Sequence, residues 1–226
     1  MYVLPGVSFA SATKQENTLE FVYPLLAMLV AYLIGSLSFA VIVSRLMGLN
    51  DPRTYGSKNP GATNVLRSGS KSAAGVTLVL DMLKGFIPVM TVKVWGPEFG
   101  LQDGTLALVA LAAFLGHVYP VFFKFKGGKG VATALGVVLG VNWILGLACI
   151  ASFAIILFFF RYVSLASIAA AAFAPFYYLF GDRVAWYMSK PVMLAIFVMA
   201  VILAIRHREN INRLLAGTES KLGQKK

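Results

Sequence analysis

The chain is poor in the residues from which many sites are built. Its 226 residues include one cysteine, Cys149, and two histidines, His117 and His207. A single cysteine in an apolar run excludes an internal disulfide and a cysteine-ligated metal. Two histidines with few acids leave no ligand set for a zinc or di-metal site. No metal and no cofactor are therefore expected. Acidic charge is scarce as well, with nine Asp and Glu against twenty Lys and Arg, a net of +11. The glycine-lysine stretch GGKG at 127–130 lacks the G-x-x-x-x-G-K-[ST] spacing, so ATP hydrolysis has no support. Neither an internal repeat nor a low-complexity tract is present.

Apolar residues are what the chain has in plenty. It is 58% hydrophobic and 13% charged, with a mean hydropathy of +0.77. That is too apolar for a soluble domain of this length and points to an integral membrane protein. Apolar segments fall at about 21–46, 73–95, 104–123, 130–145, 146–160, 162–180 and 190–206. The fourth and fifth fall short of the roughly 20 residues that cross ~30 Å of hydrocarbon. The expected fold is all-α and polytopic, with seven transmembrane helices, two of them short. A five-span count, with 130–160 merged into one long hydrophobic unit, would need a different placement of that region. Residues 1–20 end in a small-x-small pattern but lack a basic n-region. They are read as an extension outside the membrane, ahead of a single domain over 21–226.

Charge sets the orientation. Lys and Arg gather at the ends of the first, third, fifth and seventh segments, while the opposite ends are close to neutral. By the positive-inside rule the N-terminus lies outside and the C-terminus in the cytoplasm. The same bias accounts for the net +11 without nucleic acid as a partner. Membrane lipid is the surrounding partner, and nothing in the sequence points to an obligate protein partner.

Polar chemistry collects on the basic side. GSKNPGATNVLRSGSKS, 56–72, has an Asn-Pro-Gly turn, and its Ser57, Asn59, Thr63, Asn64 and Arg67 offer donors for a phosphate or polyhydroxy group. An ordinary connecting loop would share its glycine and serine content. FKFKGGKGVATALG, 123–136, opens an apolar segment with paired glycines and Lys124, Lys126 and Lys129. Lysines alone would serve as headgroup anchors. The glycines add bare backbone N–H groups at a helix start, which is an anion site. RHRENINRLLAGTES, 206–220, ends the last segment, where Arg206 and Arg208 suit anchoring. His207, Glu209 and Asn210 add proton-transfer and hydrogen-bonding ability that anchoring does not need. In RYVSLAS, Ser164 reads as a helix cap. Asp81 and Lys84, three apart on one helix face, neutralise each other, and His117 reads as a packing residue.

These stretches together indicate a phosphorylated small molecule meeting a lipid. A transporter or binding protein for a phosphorylated metabolite is the alternative, since glycine-interrupted short helices serve there too. The absent repeat, the small size and the one-sided placement of the patches weigh against it.

GSKNPGATNVLR, GHVYPVFFKFKGGKGVATALG, RYVSLAS and RHRENINRLLAGTE, in this order, resemble the signature stretches of the bacterial acyl-phosphate:glycerol-3-phosphate acyltransferase family. The resemblance runs from about residue 25 onward. It implies a seven-helix enzyme of the cell inner membrane with its active site facing the cytoplasm. It also implies transfer of an acyl group from fatty acyl phosphate to the 1-position of glycerol 3-phosphate. The products would be 1-acylglycerol 3-phosphate and phosphate, as the first step of phospholipid biosynthesis. Other glycerol-phosphate acyltransferases use a His-x-x-x-x-Asp pair. Here His207 is followed five residues on by Asn212 and His117 by Phe122, so that pair is absent. By resemblance, Gly127, Gly128, Lys129 and Gly130 form the donor-phosphate pocket, with Ser167 nearby. Ser57, Arg67, Lys129, His207 and Asn210 hold glycerol 3-phosphate, with Lys129, His207, Ser57 and Arg67 catalytic. Asn59, Thr63, Asn64 and Glu209 support them. The acceptor's proton goes either to His207 or to an oxygen of the acyl phosphate.

Overall fold

The computed structural model describes residues 9–224, and among them every regular element is helical. The first helix, α1 (Phe9–Gly35), meets α2 (Phe39–Leu46) at a break. After the short α3 (Ala62–Val65) come the long α4 (Lys71–Trp95) and α5 (Asp103–Val118). Next are α6 (Val131–Val141), α7 (Trp143–Phe160) and α8 (Val163–Phe180), then α9 (Lys190–Arg206) and α10 (Arg208–Leu215). Of the expected N-terminal extension, residues 1–8 lie outside the described residues, and no helix end marks residue 20, because α1 begins at Phe9.

Among the described residues, four helices are long and apolar enough to cross a membrane, or up to six if each bent pair is one span. The bent pairs are α1–α2, at 44°, and α9–α10, at 58°. The expected first segment, 21–46, is thus broken in the middle. Ser36 explains why: its Oγ folds back to donate to the Tyr32 carbonyl at 2.8 Å, and side-chain bonds of this kind bend helices. The expected fourth and fifth segments also change. Asn142 is extended (φ −157°, ψ 127°) and its Oδ1 accepts from Ile144 N and Leu145 N at 2.8 and 3.2 Å. An N-cap therefore starts α7 at Trp143, which gives it 18 residues and leaves only α6, with 11, short of a span.

Helix contacts are made by small residues, as expected where lipid removes the hydrophobic drive between helices. Gly85 and Gly136 bring α4 and α6 together: an added Cβ would run into the Thr133 backbone or the Met82 carbonyl. Gly35 and Gly116 do the same for α1 and α5, against Ala113 and Tyr32. The core between them is filled by Val89, Val109, Phe114, Val137, Leu145 and Ile196. Phe158, Phe159 and Phe180 face outward, the arrangement suited to a lipid surround.

Candidate active site

The glycine-rich stretch is a tight loop between α5 and α6. Gly128 N–H donates to the His117 carbonyl at 3.1 Å, so the loop folds back on the end of α5. Gly127 is enclosed by the His117 and Val118 carbonyls and Pro120, which leaves no room for a side chain. Gly130 has φ +88°, a left-handed conformation that suits glycine, and abuts the Phe114 ring at the start of α6. The first N–H groups of α6 thus open at this loop without intrahelical partners. From the C-terminal side the Arg206 guanidinium reaches the carbonyls of Gly127 and Gly128 at 3.1 and 3.3 Å. Arg206 is therefore a clamp on the loop, beyond the anchoring role its position suggested. Arg208 is exposed.

Lys124 and Lys126 are exposed, whereas Lys129 is half-buried and its ammonium donates to Asn210 Oδ1 on α10. Asn210 Nδ2 donates to Glu219 Oε1 at 2.6 Å, Ser164 Oγ donates to the same oxygen at 2.6 Å, and Arg213 Nε reaches Oε2 at 2.7 Å. Burial pushes the Lys129 ammonium down to about 8, with the Glu219 charge resisting the fall. Burial works to raise Glu219, but hydrogen bonds from Ser164, Asn210 and Arg213 hold it below the usual carboxylate range. His207, at the break after α9, is buried, and its Nδ1 pairs with the Leu203 carbonyl at 2.8 Å. That contact makes Nδ1 the protonated nitrogen and leaves Nε2 as the acceptor. Burial pushes the imidazole down to about 4, so it is neutral near pH 7.

Sequence reasoning missed Glu219, the hub of this network. Its signal was present in the quoted stretch 206–220, but only the chain reversal at Gly217, with φ +68°, returns Glu219 to Asn210. Ser164 was expected as a cap and is not one: α8 has Tyr162 at its N-cap without a side-chain bond, and the hydroxyl serves Glu219 instead. Ser167 is buried and donates to the Val163 carbonyl of its own helix at 2.8 Å. Glu209 is exposed.

The first polar loop is arranged around Asn64. Its Oδ1 accepts from Ser57 N at 3.0 Å and its Nδ2 donates to the carbonyls of Pro52 and Tyr55 at 2.5 and 3.2 Å. These bonds fold the loop and make Asn64 an organiser of it. Asn59 lies over Gly61, and Ser57, Thr63 and Arg67 are exposed. Arg67 lines a cleft with Asn50, Thr54, Tyr55 and Ser68. This loop meets the glycine-rich one where the Pro60 carbonyl faces Gly128. Ser57 and Arg67 make no bond to the Lys129 network.

A helical membrane protein with a half-buried lysine in a glycine turn, braced by an Arg and a Glu–Asn–Ser network at one end of its helices, is the class these features define. The profile of the glycerol-3-phosphate acyltransferase family matches residues 25–217, and the chain belongs to that family. A glycerol-3-phosphate acyltransferase of Albidiferax ferrireducens is 65% identical over 215 residues, which cover 94% of this chain and 96% of the relative. One from Bordetella petrii is 61% identical over 196 residues, 87% and 92% of the two chains. The fold is similar to crystal structures of PlsY, an integral membrane glycerol 3-phosphate acyltransferase. Its glycerol 3-phosphate form is 44% identical with a TM-score of 0.79, and its lysophosphatidic acid form 43% with 0.78. Each match covers 89% of this chain and 96% of the other.

Proposed function

We propose that this chain transfers the acyl group of a fatty acyl phosphate to the 1-hydroxyl of glycerol 3-phosphate. The hydroxyl oxygen bonds to the carbonyl carbon, the carbon–oxygen bond to phosphate breaks, and inorganic phosphate leaves with the hydroxyl's proton. The N-terminus faces outward, the site faces the cytoplasm, and the membrane is the cell inner membrane. The observation that carries this reading is the bond from Lys129 to Asn210, which joins the glycine-rich loop to the C-terminal patch at a half-buried cation.

Gly127, Gly128 and Gly130 with the amides opening α6 hold the donor's phosphate, and Lys129 stabilises its charge as it leaves. Ser167 supports the pocket from α8 by a turn of its rotamer away from Val163. Asn210 and His207 hold glycerol 3-phosphate together with Ser57 and Arg67 from the first loop, whose shape Asn59, Thr63 and Asn64 maintain. Glu209 supports α10. An acyl phosphate already carries a good leaving group, so proximity and fixed charge supply most of the acceleration. A neutral His207 with a pKa near 4 is a weak base, so it binds an acceptor hydroxyl through Nε2 while a phosphate oxygen takes the proton.

The test supplies purified protein with glycerol 3-phosphate and either palmitoyl phosphate or palmitoyl-CoA, following phosphate release and lipid product. Turnover is expected with the acyl phosphate alone. Comparable turnover with the CoA ester would overturn the donor assignment.

A further inference from the structure

Three ionisable side chains lie deep among apolar helices. Asp81 and Lys84 are on α4 and His117 on α5, with exposures of 2%, 3% and 7%. Charge at such depth is costly unless matched, and ionisable groups inside membrane helices commonly serve function. Mutual neutralisation is the simplest account, since Lys84 Nζ meets Asp81 Oδ1 at 2.7 Å. It does not explain where the remaining contacts go. Lys84 Nζ also donates to the Leu37 carbonyl at 2.6 Å, in the break between α1 and α2. Asp81 Oδ1 lies 3.6 Å from His117 Nδ1. The other ring nitrogen, Nε2, sits so close to Gly128 that an added Cβ would strike it. The His117 carbonyl holds Gly128 N–H, and the Asp81 carbonyl accepts the Thr133 hydroxyl from the first turn of α6 at 2.9 Å. One cluster thus touches the bend that leads into the first polar loop, the glycine-rich loop, and the helix that loop opens.

We propose that Asp81, Lys84 and His117 are positioning residues for acyl transfer, holding the glycine-rich loop where it receives the donor's phosphate. The inference rests on reading residues 127–130 as the donor-phosphate pocket. None of the three touches substrate. The carboxylate lies beside the imidazole at 3.6 Å, the imidazole backs Gly128, and the lysine ties the carboxylate to the bend at Leu37. The His117 ring and the Pro60 carbonyl both crowd the side of Gly128 where a Cβ would stand, so a shift of the ring moves the loop. In a reaction run on positioning, a displacement of about 1 Å costs on the order of 10²-fold.

The test is steady-state kinetics on the purified full chain with both substrates varied, with monodispersity and thermal midpoint as the record of folding. His117→Ala removes the ring and leaves the ion pair. It should raise the KM for acyl phosphate about ten-fold or more and lower kcat, with the KM for glycerol 3-phosphate nearly unchanged. His117→Gln, which refills much of the space against Gly128 with a neutral polar side chain, should restore most of the loss. The double variant Asp81→Asn, Lys84→Met removes both charges together, leaves no unpaired charge, and should show the same donor-side defect. Wild-type constants in a folded His117→Ala or in the folded double variant would overturn the proposal. So would failure of all of these variants to fold, which would make the cluster purely structural. A loss of similar size that falls on glycerol 3-phosphate instead, and is shared by Gly128→Ala, would keep the coupling and assign the loop to the acceptor.

Discussion

In the proposed function, Lys129 is the residue whose charge the site depends on. Its ammonium is protonated below about 8, and burial is what brings its pKa down. On the proposed reading the charged form is the one that binds phosphate, so kcat/KM should fall as pH rises through about 8. Lys129→Arg stays charged far above that range, so its alkaline limb should move up even though its overall rate is lower. An unmoved limb would assign the titration elsewhere. Lys129→Ala should lose about 10²- to 10³-fold in kcat, on the scale of removing one stabilising group from a transition state. Lys124→Ala and Lys126→Ala, at exposed positions, should keep most activity. Equal loss at all three would reduce the stretch to a basic patch. His207→Gln keeps a hydrogen-bonding group but cannot carry a proton, and it should retain kcat within about ten-fold while the KM for glycerol 3-phosphate rises. A loss of 10² to 10⁴ in kcat at saturating acceptor would make His207 the general base.

At the scale of elements, backbone proximity decides what can change. Gly136 lets α6 lie against the Met82 carbonyl of α4, so Gly136→Ala must push the helices apart. The expected cost is about 1–3 kcal/mol, read as a lower thermal midpoint in detergent. Gly75, on α4 with open space around it, should accept alanine without such a loss. Hydropathy made these helices legible, because an apolar run of sufficient length has few other uses. It could not show the break at Ser36, since the residues on both sides are apolar and only the hydroxyl's bond to Tyr32 reveals the bend. The α6–α7 boundary was blurred for the same reason, and one asparagine cap fixes it. The glycine loop, His207 and Asn210 were legible because each is a poor choice for a membrane segment. Glu219 was not, because an acid in a polar tail looks ordinary until the turn at Gly217 brings it back under Asn210.

At the scale of the whole molecule, the Glu219 network constrains how the chain threads the membrane. Lys129 precedes α6, Ser164 follows α7, and Asn210 and Glu219 follow α9, yet all four belong to one set of hydrogen bonds. The start of α6 and the end of α7 therefore lie at the same end of the helices. If α7 crosses, as its length allows, α6 would have to make the return journey with 11 residues, about 16 Å at 1.5 Å per residue. If each bent pair is one span and α6 is a seventh crossing, the total is odd and the two termini would lie on opposite sides, the arrangement expected from the basic ends. Single cysteines can check this, since the native Cys149 is buried. On intact cells a membrane-impermeant maleimide should label Glu98→Cys, in the exposed turn between α4 and α5, and spare Lys126→Cys and Gln224→Cys. Inverted vesicles should show the reverse pattern. Labelling of Gln224→Cys and Lys126→Cys from opposite faces would break the threading, because residues tied to one network cannot end on two sides of a bilayer.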